Sequence, residues 1–465
     1  MTQLTMLDAG FLKAEDSDRH VSLAIGVVAI LEGPPPSLER LKSVLLERLC
    51  SIPRCTQVLR TYPFDIEAPQ WITDAHFDIA HHVRRIALPR PGGDAELFGA
   101  IAQAVERRLD RDRPLWEFWV IEGLQGNRWA IVMKIHHCMV DGISGTHILT
   151  KLCDKPNADA QAQTTSGPGD TTTLRTVRTP RTSVFNRAPF SWANTVWRTS
   201  NAVTQVATRA VAGAAELATG LLQPARQTSL TGPLSTMRRY TAVRVRLPAV
   251  LSVCRKFDVT VNDVALAAIT EAFRAVLLHR GEQPRADSLR TLVPVSMRSA
   301  DAVDKYDNRF SVMLPYLPVE LDDPVQRLQA VHNRLTRAKQ SGQREAGNIV
   351  TSVANSLPFV LSAWVIRLLT RLPQRGIVTL ATNVPGPRYR LRLMGRAVER
   401  LLPIPPIALH LRTGVAVLSY ADDLIFGITA DYDTAPDLEE LAAGIELGVA
   451  RLEALSRESV LLFAR

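Results

Sequence analysis

The sequence predicts an α/β protein built as two halves of similar size joined by a linker. Three observations carry that reading. Strand and helix signals alternate over residues 1–155 and resume from about Arg238. Between them the composition breaks, because residues 155–189 are rich in Thr, Ser, Pro and Ala and poor in large apolar side chains. The chain has 465 residues, 46% hydrophobic and 22% charged, and that length suits two domains of roughly 150–250 residues each. The expected division is 1–155, a basic linker over 156–237, and 238–465.

Each element follows from local pattern. Val21 to Leu31 is an apolar run that reads as a buried strand. Leu38 to Leu49 has apolar residues at helical spacing. Ala95 to Leu109 is an amphipathic helix that stops before Arg113-Pro114. Trp116 to Ile121 and Trp129 to Ile135 are strands joined by the turn Gly123 to Asn127, and Gly142 to Leu152 is a helix. Residues 190–222 are Ala-rich and carry Phe190, Trp192, Trp197, Leu217, Leu221 and Leu222. Around them Arg187, Arg198, Arg209 and Arg226 outnumber Glu216. This segment has two readings, a helix lying on a membrane surface and a helix packed across two domains.

In the second half, Tyr240 to Leu247 reads as a strand and Leu247 to Phe257 as a short helix. Asn262 to Leu278 is a long apolar helix entered through Thr260 and Asn262, which suit an N-cap. Thr291 to Val295 and Phe310 to Leu317 are strands, Val325 to Lys339 a helix, and Ser356 to Leu372 a strongly apolar helix. Ile377 to Thr382 is a strand ending in the turn Asn383 to Pro387. Thr413 to Tyr420 and Leu424 to Ala430 form a hairpin around Asp422-Asp423, and a last helix runs from Pro436 to Leu455.

Composition excludes several classes. The longest apolar stretches, Val21 to Leu31 and Leu357 to Leu372 (broken by Arg367 and Arg371), fall short of about 20 uninterrupted residues. Met1 to Gly10 lacks the basic and apolar regions of a signal peptide. The five cysteines Cys50, Cys55, Cys138, Cys153 and Cys254 show no Cys-x-x-Cys spacing and read as reduced cytosolic thiols, with no metal site. The expected location is therefore cytoplasmic. The net charge of +9 comes without a nucleic-acid motif, and aromatics are only 6%. That charge fits an anionic lipid surface, an anionic cofactor or a solvated arginine-rich surface, and no nucleic-acid partner is expected.

The chemistry concentrates in Ile135-His136-His137-Cys138-Met139-Val140-Asp141-Gly142. Histidine's ordinary pKa lies nearest neutrality, so it can take and return a proton at working pH. A strand of good β-formers leads into the pair, and Gly142 permits a tight entry to the next helix. A second pair, His81-His82, has no Asp-Gly after it and reads as polar residues on a partly exposed strand. Metal binding would need a third ligand, and His147 supplies no His-Glu-x-x-His pattern. Gly142-Ile143-Ser144-Gly145 is not a nucleophile elbow. Cys138 reads as a small apolar filler rather than a thiol nucleophile. The run therefore points to acyl transfer by a histidine base.

His-His-x-x-x-Asp-Gly resembles the acyltransferase superfamily that includes chloramphenicol acetyltransferase, carnitine acyltransferases and peptide-synthetase condensation domains. Other blocks narrow the resemblance to the bacterial wax ester synthase/diacylglycerol acyltransferase family. They are Leu7 to Leu12, Pro114-Leu115-Trp116, Val261-Asn262-Asp263-Val264, Pro294 to Arg298, Asn308-Arg309, Thr382 to Pro387, Leu418-Ser419-Tyr420, Phe426-Gly427 and Asp431. Two departures stand out: Asp307 where the family often has Gly, and the proline-rich run Pro403 to Pro406.

The resemblance implies two chloramphenicol-acetyltransferase-like halves with an active-site tunnel between them. It implies long-chain acyl-CoA as co-substrate, no further cofactor, and diacylglycerol or a fatty alcohol as acceptor. His137 corresponds to the general base. His136 would shape the loop, and Asp141 would hold it by pairing with an arginine, for which Arg54 and Arg60 are candidates. Gly142, Trp116, Asn262 and Asp263 are the candidate substrate-binding residues. Trp116 is most simply a core aromatic, with lining of the acyl channel the sharper reading, and Asn262-Asp263 is equally readable as a helix N-cap. Any contact with the inner face of the cell membrane or with lipid droplets would be peripheral. The rival functions are wax ester synthesis, a condensation-type domain using carrier-protein thioesters, and a lipid-droplet coat protein without activity.

Overall fold

A computed structural model of the protein describes residues 2–140, 142–155, 228–296, 310–340, 377–408 and 410–457. The Ala-rich segment at 190–222, the apolar helix expected at Ser356 to Leu372, and Asp141 lie outside the described residues. The first half runs β1 (Thr2–Gln3), α1 (Met6–Ser17), β2 (Ala24–Glu32), α2 (Leu38–Leu49), β3 (Gln57–Arg60), β4 (Gln70–Thr73), β5 (Val83–Ala87), α3 (Asp94–Glu106), β6 (Trp116–Leu124), β7 (Arg128–His136) and α4 (Gly142–Leu152). The second runs β8 (Arg238–Arg246), α5 (Leu247–Phe257), α6 (Val261–His279), β9 (Thr291–Ser296), β10 (Phe310–Met313), α7 (Pro324–Gln340), β11 (Thr379–Val384), β12 (Arg392–Leu393), β13 (Arg396–Ile404), β14 (Thr413–Tyr420), β15 (Asp423–Asp431) and α8 (Leu438–Arg457).

Local chemistry explains the clearest elements. Ser37 caps α2 by accepting the Arg40 N–H, and Leu41, Leu45 and Leu49 repeat every four residues on its buried face. In α6 the cap is Thr260 rather than Asn262. Its hydroxyl accepts the Asp263 N–H at 3.2 Å, and the Asp263 carboxylate accepts the Thr260 N–H at 2.8 Å. Strands β7, β14 and β15 are buried along nearly their whole length, so they read as continuous apolar runs rather than alternating ones.

Two six-stranded sheets form the body. Their orders are β12-β13-β2-β7-β6-β5 and β10-β9-β11-β14-β15-β8, and a small sheet β1-β4-β3 stands beside them. The linker does not cut the fold cleanly. Strand β13, from the second half of the chain, pairs antiparallel with β2 over Val398 to Ile404 and enters the first sheet. Its Val398, Leu401, Leu402 and Ile404 are buried there, and each such aliphatic side chain is worth roughly 1.5–3 kcal/mol. Strand β13 is thus a crossover between the halves.

The proline-rich departure also finds its place. Pairing ends at Ile404, and Pro405 and Pro406 after it have no N–H to continue a ladder. The Pro403 carbonyl accepts the Tyr240 hydroxyl at 2.9 Å. Gly427 of β15 packs so close to Pro403 that a Cβ there would stand 1.7 Å from its carbonyl oxygen. Among the described residues, no helix is long and apolar enough to cross a membrane.

Candidate active site

Two carbonyls set the backbone of the histidine pair. The His136 N–H donates to Leu115 O at 2.9 Å, and the His137 N–H to Leu23 O at 3.0 Å. Leu115 is the middle residue of the Pro114-Leu115-Trp116 block, so that block holds the end of β7 in place. The Met139 N–H donates back to His136 O at 2.9 Å and tightens the turn that follows.

Both side chains are gripped by one helix. On α1, Phe11 and Glu15 are four residues apart and share a face. Phe11 stacks on the His137 ring, with centroids 4.2 Å apart and planes 17° from parallel. Glu15 Oε2 lies 3.2 Å from His136 Nε2. His136 Nδ1 accepts the Cys138 N–H at 3.1 Å. An accepting Nδ1 leaves the proton on Nε2, so His136 donates to Glu15.

Glu15 is buried and well supplied with donors. It accepts the Leu23 N–H at 3.1 Å and Arg111 Nη2 at 2.8 Å, while Arg111 Nη1 lies 2.8 Å from Asp16. Burial alone raises its pKa. The His136 hydrogen bond, with the Arg111 and Leu23 donors, outweighs burial and brings it down to about 2. Glu15 is therefore an anion throughout the neutral range. His136 is almost fully enclosed, while His137 is only half-buried. The His137 ring thus keeps part of its surface exposed where His136 keeps almost none.

The sequence reading missed Glu15 and Phe11 because it missed α1. The helix buries Asp8, Ala9, Leu12 and Glu15, at helical spacing, but two of the four are acids. Apolar periodicity was therefore invisible there. The signal that could have found it is Thr5 followed by Asp8: Thr5 caps the helix by accepting the Asp8 N–H at 3.1 Å.

The structure brings Gly142 to the seam between the halves. A Cβ on Gly142 would stand 2.8 Å from Val384 Cγ2, at the end of β11. The same turn is tied onward, because the Gly386 N–H donates to Ser419 Oγ at 3.1 Å. Three sequence blocks thus meet at one place: the histidine loop, Thr382 to Pro387, and Leu418 to Tyr420. Cys138 is buried, and burial pushes its thiol well up, with Asp8 and Glu15 adding to the effect. It remains a protonated thiol, in keeping with the filler reading.

The other candidates sit elsewhere. Trp116 is buried in the core and donates from Nε1 to Cys55 O at 2.8 Å. Asp263 is buried, and besides capping α6 it lies 2.9 Å from His332 Nδ1 of α7. Asn262 beside it is half-buried. Arg54 lies over the Trp71 ring at 4.5 Å and Arg60 over Tyr62 at 5.7 Å. Any pairing of either with Asp141 falls outside the described residues.

The pair His81-His82 departs from expectation. His81 ends a single 3-10 turn ahead of β5, and only His81 is exposed. His82 is 3% exposed, its Nδ1 lies 2.8 Å from Trp116 O, and its ring stacks on the Trp116 indole. Burial lowers its pKa, partly offset by that carbonyl. A surface pocket of about 360 Å³ adjoins them. Its Arg84 pairs with Glu117 and its Arg113 with Asp110, so its charges cancel locally.

Comparison with known proteins places the chain. The model of the wax ester synthase/diacylglycerol acyltransferase catalytic domain matches residues 4–265, and that of the WS/DGAT C-terminal domain matches residues 306–453. The chain is 56% identical over 458 residues to the probable diacylglycerol O-acyltransferase tgs1 of Mycobacterium tuberculosis, covering 98% of this chain and 97% of that one. Its fold is similar to that of the wax ester synthase/diacylglycerol acyltransferase from Marinobacter aquaeolei. There the TM-score is 0.67 at 24% identity, over 98% of this chain and 100% of that one. The first condensation domain of the calcium-dependent antibiotic synthetase shares the fold at a TM-score of 0.61 and 15% identity, over 98% and 96% of the two chains.

Proposed function

The chain belongs to the wax ester synthase/diacylglycerol acyltransferase family, and on that footing we propose that it is a diacylglycerol O-acyltransferase. It moves a long-chain acyl group from acyl-CoA to the free hydroxyl of diacylglycerol and makes triacylglycerol. The observation that carries this reading is the end-to-end similarity to a relative named for that activity.

In this reading His137 is the general base. It takes the proton from the acceptor hydroxyl as the oxygen attacks the thioester carbonyl carbon. The tetrahedral intermediate collapses, the carbon–sulfur bond breaks, and the imidazolium returns the proton to the CoA thiolate. The products are an ester and free CoA, with no acyl-enzyme. A positioned base supplies on the order of 10²–10⁴ in rate, and alignment of the two substrates supplies more. Phe11 stacks on the His137 ring and fixes the plane of the imidazole. His136 and Gly142 hold the loop, and Asp141 supports it. The reaction uses no cofactor beyond its acyl-CoA co-substrate. Because diacylglycerol resides in lipid, the protein works at the surface of a membrane or lipid droplet, held peripherally on the cytoplasmic side.

Purified protein given radiolabelled palmitoyl-CoA with diacylglycerol or hexadecanol, side by side, tests the reading by thin-layer separation of products. Triacylglycerol is expected as the main product. A dominant wax ester would reverse the acceptor assignment, and no product from either would defeat the acyltransferase reading. His137→Ala should retain the wild-type thermal melt and lose at least about 10²-fold in rate. Wild-type turnover from the folded variant would remove His137 from the role of base.

A further inference from the structure

Beside α4 the chain lays out a stripe of uncompensated positive charge. From Arg388 to Leu393, exposure alternates. Arg388, Arg390 and Arg392 are exposed, Tyr389 is half-buried, and Leu391 and Leu393 are buried. The backbone beneath is fixed at both ends and in the middle. Pro387 O accepts the Ala421 N–H at 3.0 Å, and the Leu391 N–H donates to the Tyr420 hydroxyl at 2.9 Å. Arg392 O accepts the Asp154 N–H at 2.7 Å, and the Asp154 carboxylate accepts the Met394 and Gly395 N–H groups at 3.2 and 2.7 Å.

Three of the flanking acids are engaged elsewhere, and Asp422, exposed beside Ala421, pairs with none of the three arginines. Asp154 pairs with Arg48, Glu399 with Arg128, and Asp423 with Arg244. Among the described residues, no carboxylate pairs with any of the three arginines. The stripe also has a defined relation to the histidine loop. It continues directly from Val384, which touches Gly142 at the start of α4, and it ends at Asp154, just past the end of α4. The helix has 11 residues, so at 1.5 Å per residue its two ends, where the stripe begins and finishes, lie roughly 16 Å apart.

We propose that Arg388, Arg390 and Arg392 bind the phosphates of the nucleotide end of acyl-CoA while its thioester lies at His137. This rests on the acyl-CoA reading above. The pantetheine arm separates the thioester from the diphosphate and the 3′-phosphate, so a phosphate site must lie away from the base along an open path. Guanidinium groups match phosphate oxygens in pairs, and several on a fixed backbone act together on a multiply charged ligand.

The test uses the full chain and the triple variant Arg388→Gln/Arg390→Gln/Arg392→Gln, compared with palmitoyl-CoA and with palmitoyl-pantetheine, which lacks the nucleotide. For palmitoyl-CoA the variant should raise KM about tenfold or more and change kcat less than about twofold. With palmitoyl-pantetheine, variant and wild type should match. Calorimetric titration with CoA should show the same loss of affinity, and added salt should weaken the wild type more than the variant. Equal losses on both thioesters, or unchanged KM and CoA affinity, would overturn the assignment. So would loss of binding to phosphatidylglycerol vesicles with CoA affinity intact, which would make the stripe a lipid contact. Because the titration needs no turnover, arginine-dependent CoA binding by a protein that esterifies neither alcohol would leave this site standing and sink the acyltransferase reading alone.

Discussion

Glu15 decides which nitrogen of His136 carries its proton, and with it the shape of the loop that presents His137. The carboxylate is held down to about 2 in the folded protein, against roughly 4.3 in an unfolded chain. A lowered carboxylate pKa contributes stability that is fully present above the unfolded value and is lost as pH falls through the folded one. Glu15→Gln should therefore lower stability at pH 7 by roughly 1–3 kcal/mol. Urea unfolding across pH should show the gap between variant and wild type closing from about pH 4.5 down to 2. A gap that stayed constant over that window would mean Glu15 is not the anion described. None of this was legible in the sequence, because 121 positions separate Glu15 from its histidine. His137, by contrast, was readable from its strand exit and the glycine five residues on.

At the scale of elements, the site is a joint between the exit of β7, the face of α1 and the start of α4. Gly142 is required there by close approach, since a Cβ would stand 2.8 Å from Val384. Alanine gains up to about 1 kcal/mol in helix propensity, but forced overpacking costs about 1–3 kcal/mol, so packing wins. Gly142→Ala should lower both the melting temperature and the esterification rate, and adding Val384→Ala should recover most of the stability. Recovery is expected because the obstruction is the end of a side chain. Failure of the second substitution to help would show that the glycine serves another purpose. Gly427 offers no such relief, because its neighbour is the backbone carbonyl of Pro403. Strand β13 escaped the sequence reading for a physical reason. Arg396, Glu399 and Arg400 interrupt its apolar run, and the register shifts between Val398 and Arg400, which breaks the period of two.

At the scale of the molecule, the two halves are held by charged and polar ties as well as by β13. Arg238, at the start of β8, is one such tie. Its guanidinium donates to the carbonyls of Ser235, Met237 and His20 and lies 3.6 Å from the buried Asp431. Its backbone N–H donates to Glu106 at the end of α3 at 2.9 Å. Removing one partner of such a buried pair costs about 3–5 kcal/mol, because the other charge is left behind. Arg238→Ala should lose that much in chemical denaturation, and Arg238→Lys should regain only part, having no planar fork. A loss under about 1 kcal/mol would show that this tie contributes little to holding the seam.

The sequence by itself determined the two-half α/β organisation, most helices and strands to within a few residues, the histidine loop and the family. Those rest on periodicity, caps and short blocks, which act within a window of a few turns. Only the tertiary structure decided that β13 enters the opposite sheet, that one face of α1 grips both histidines, that the buried His136 is tied to Glu15, and that Gly142 meets Val384. These depend on pairing and packing between residues separated by more than a hundred positions. Burial there can draw in an acid such as Glu15 once its donors are in place, so neither hydrophobicity nor spacing announces it.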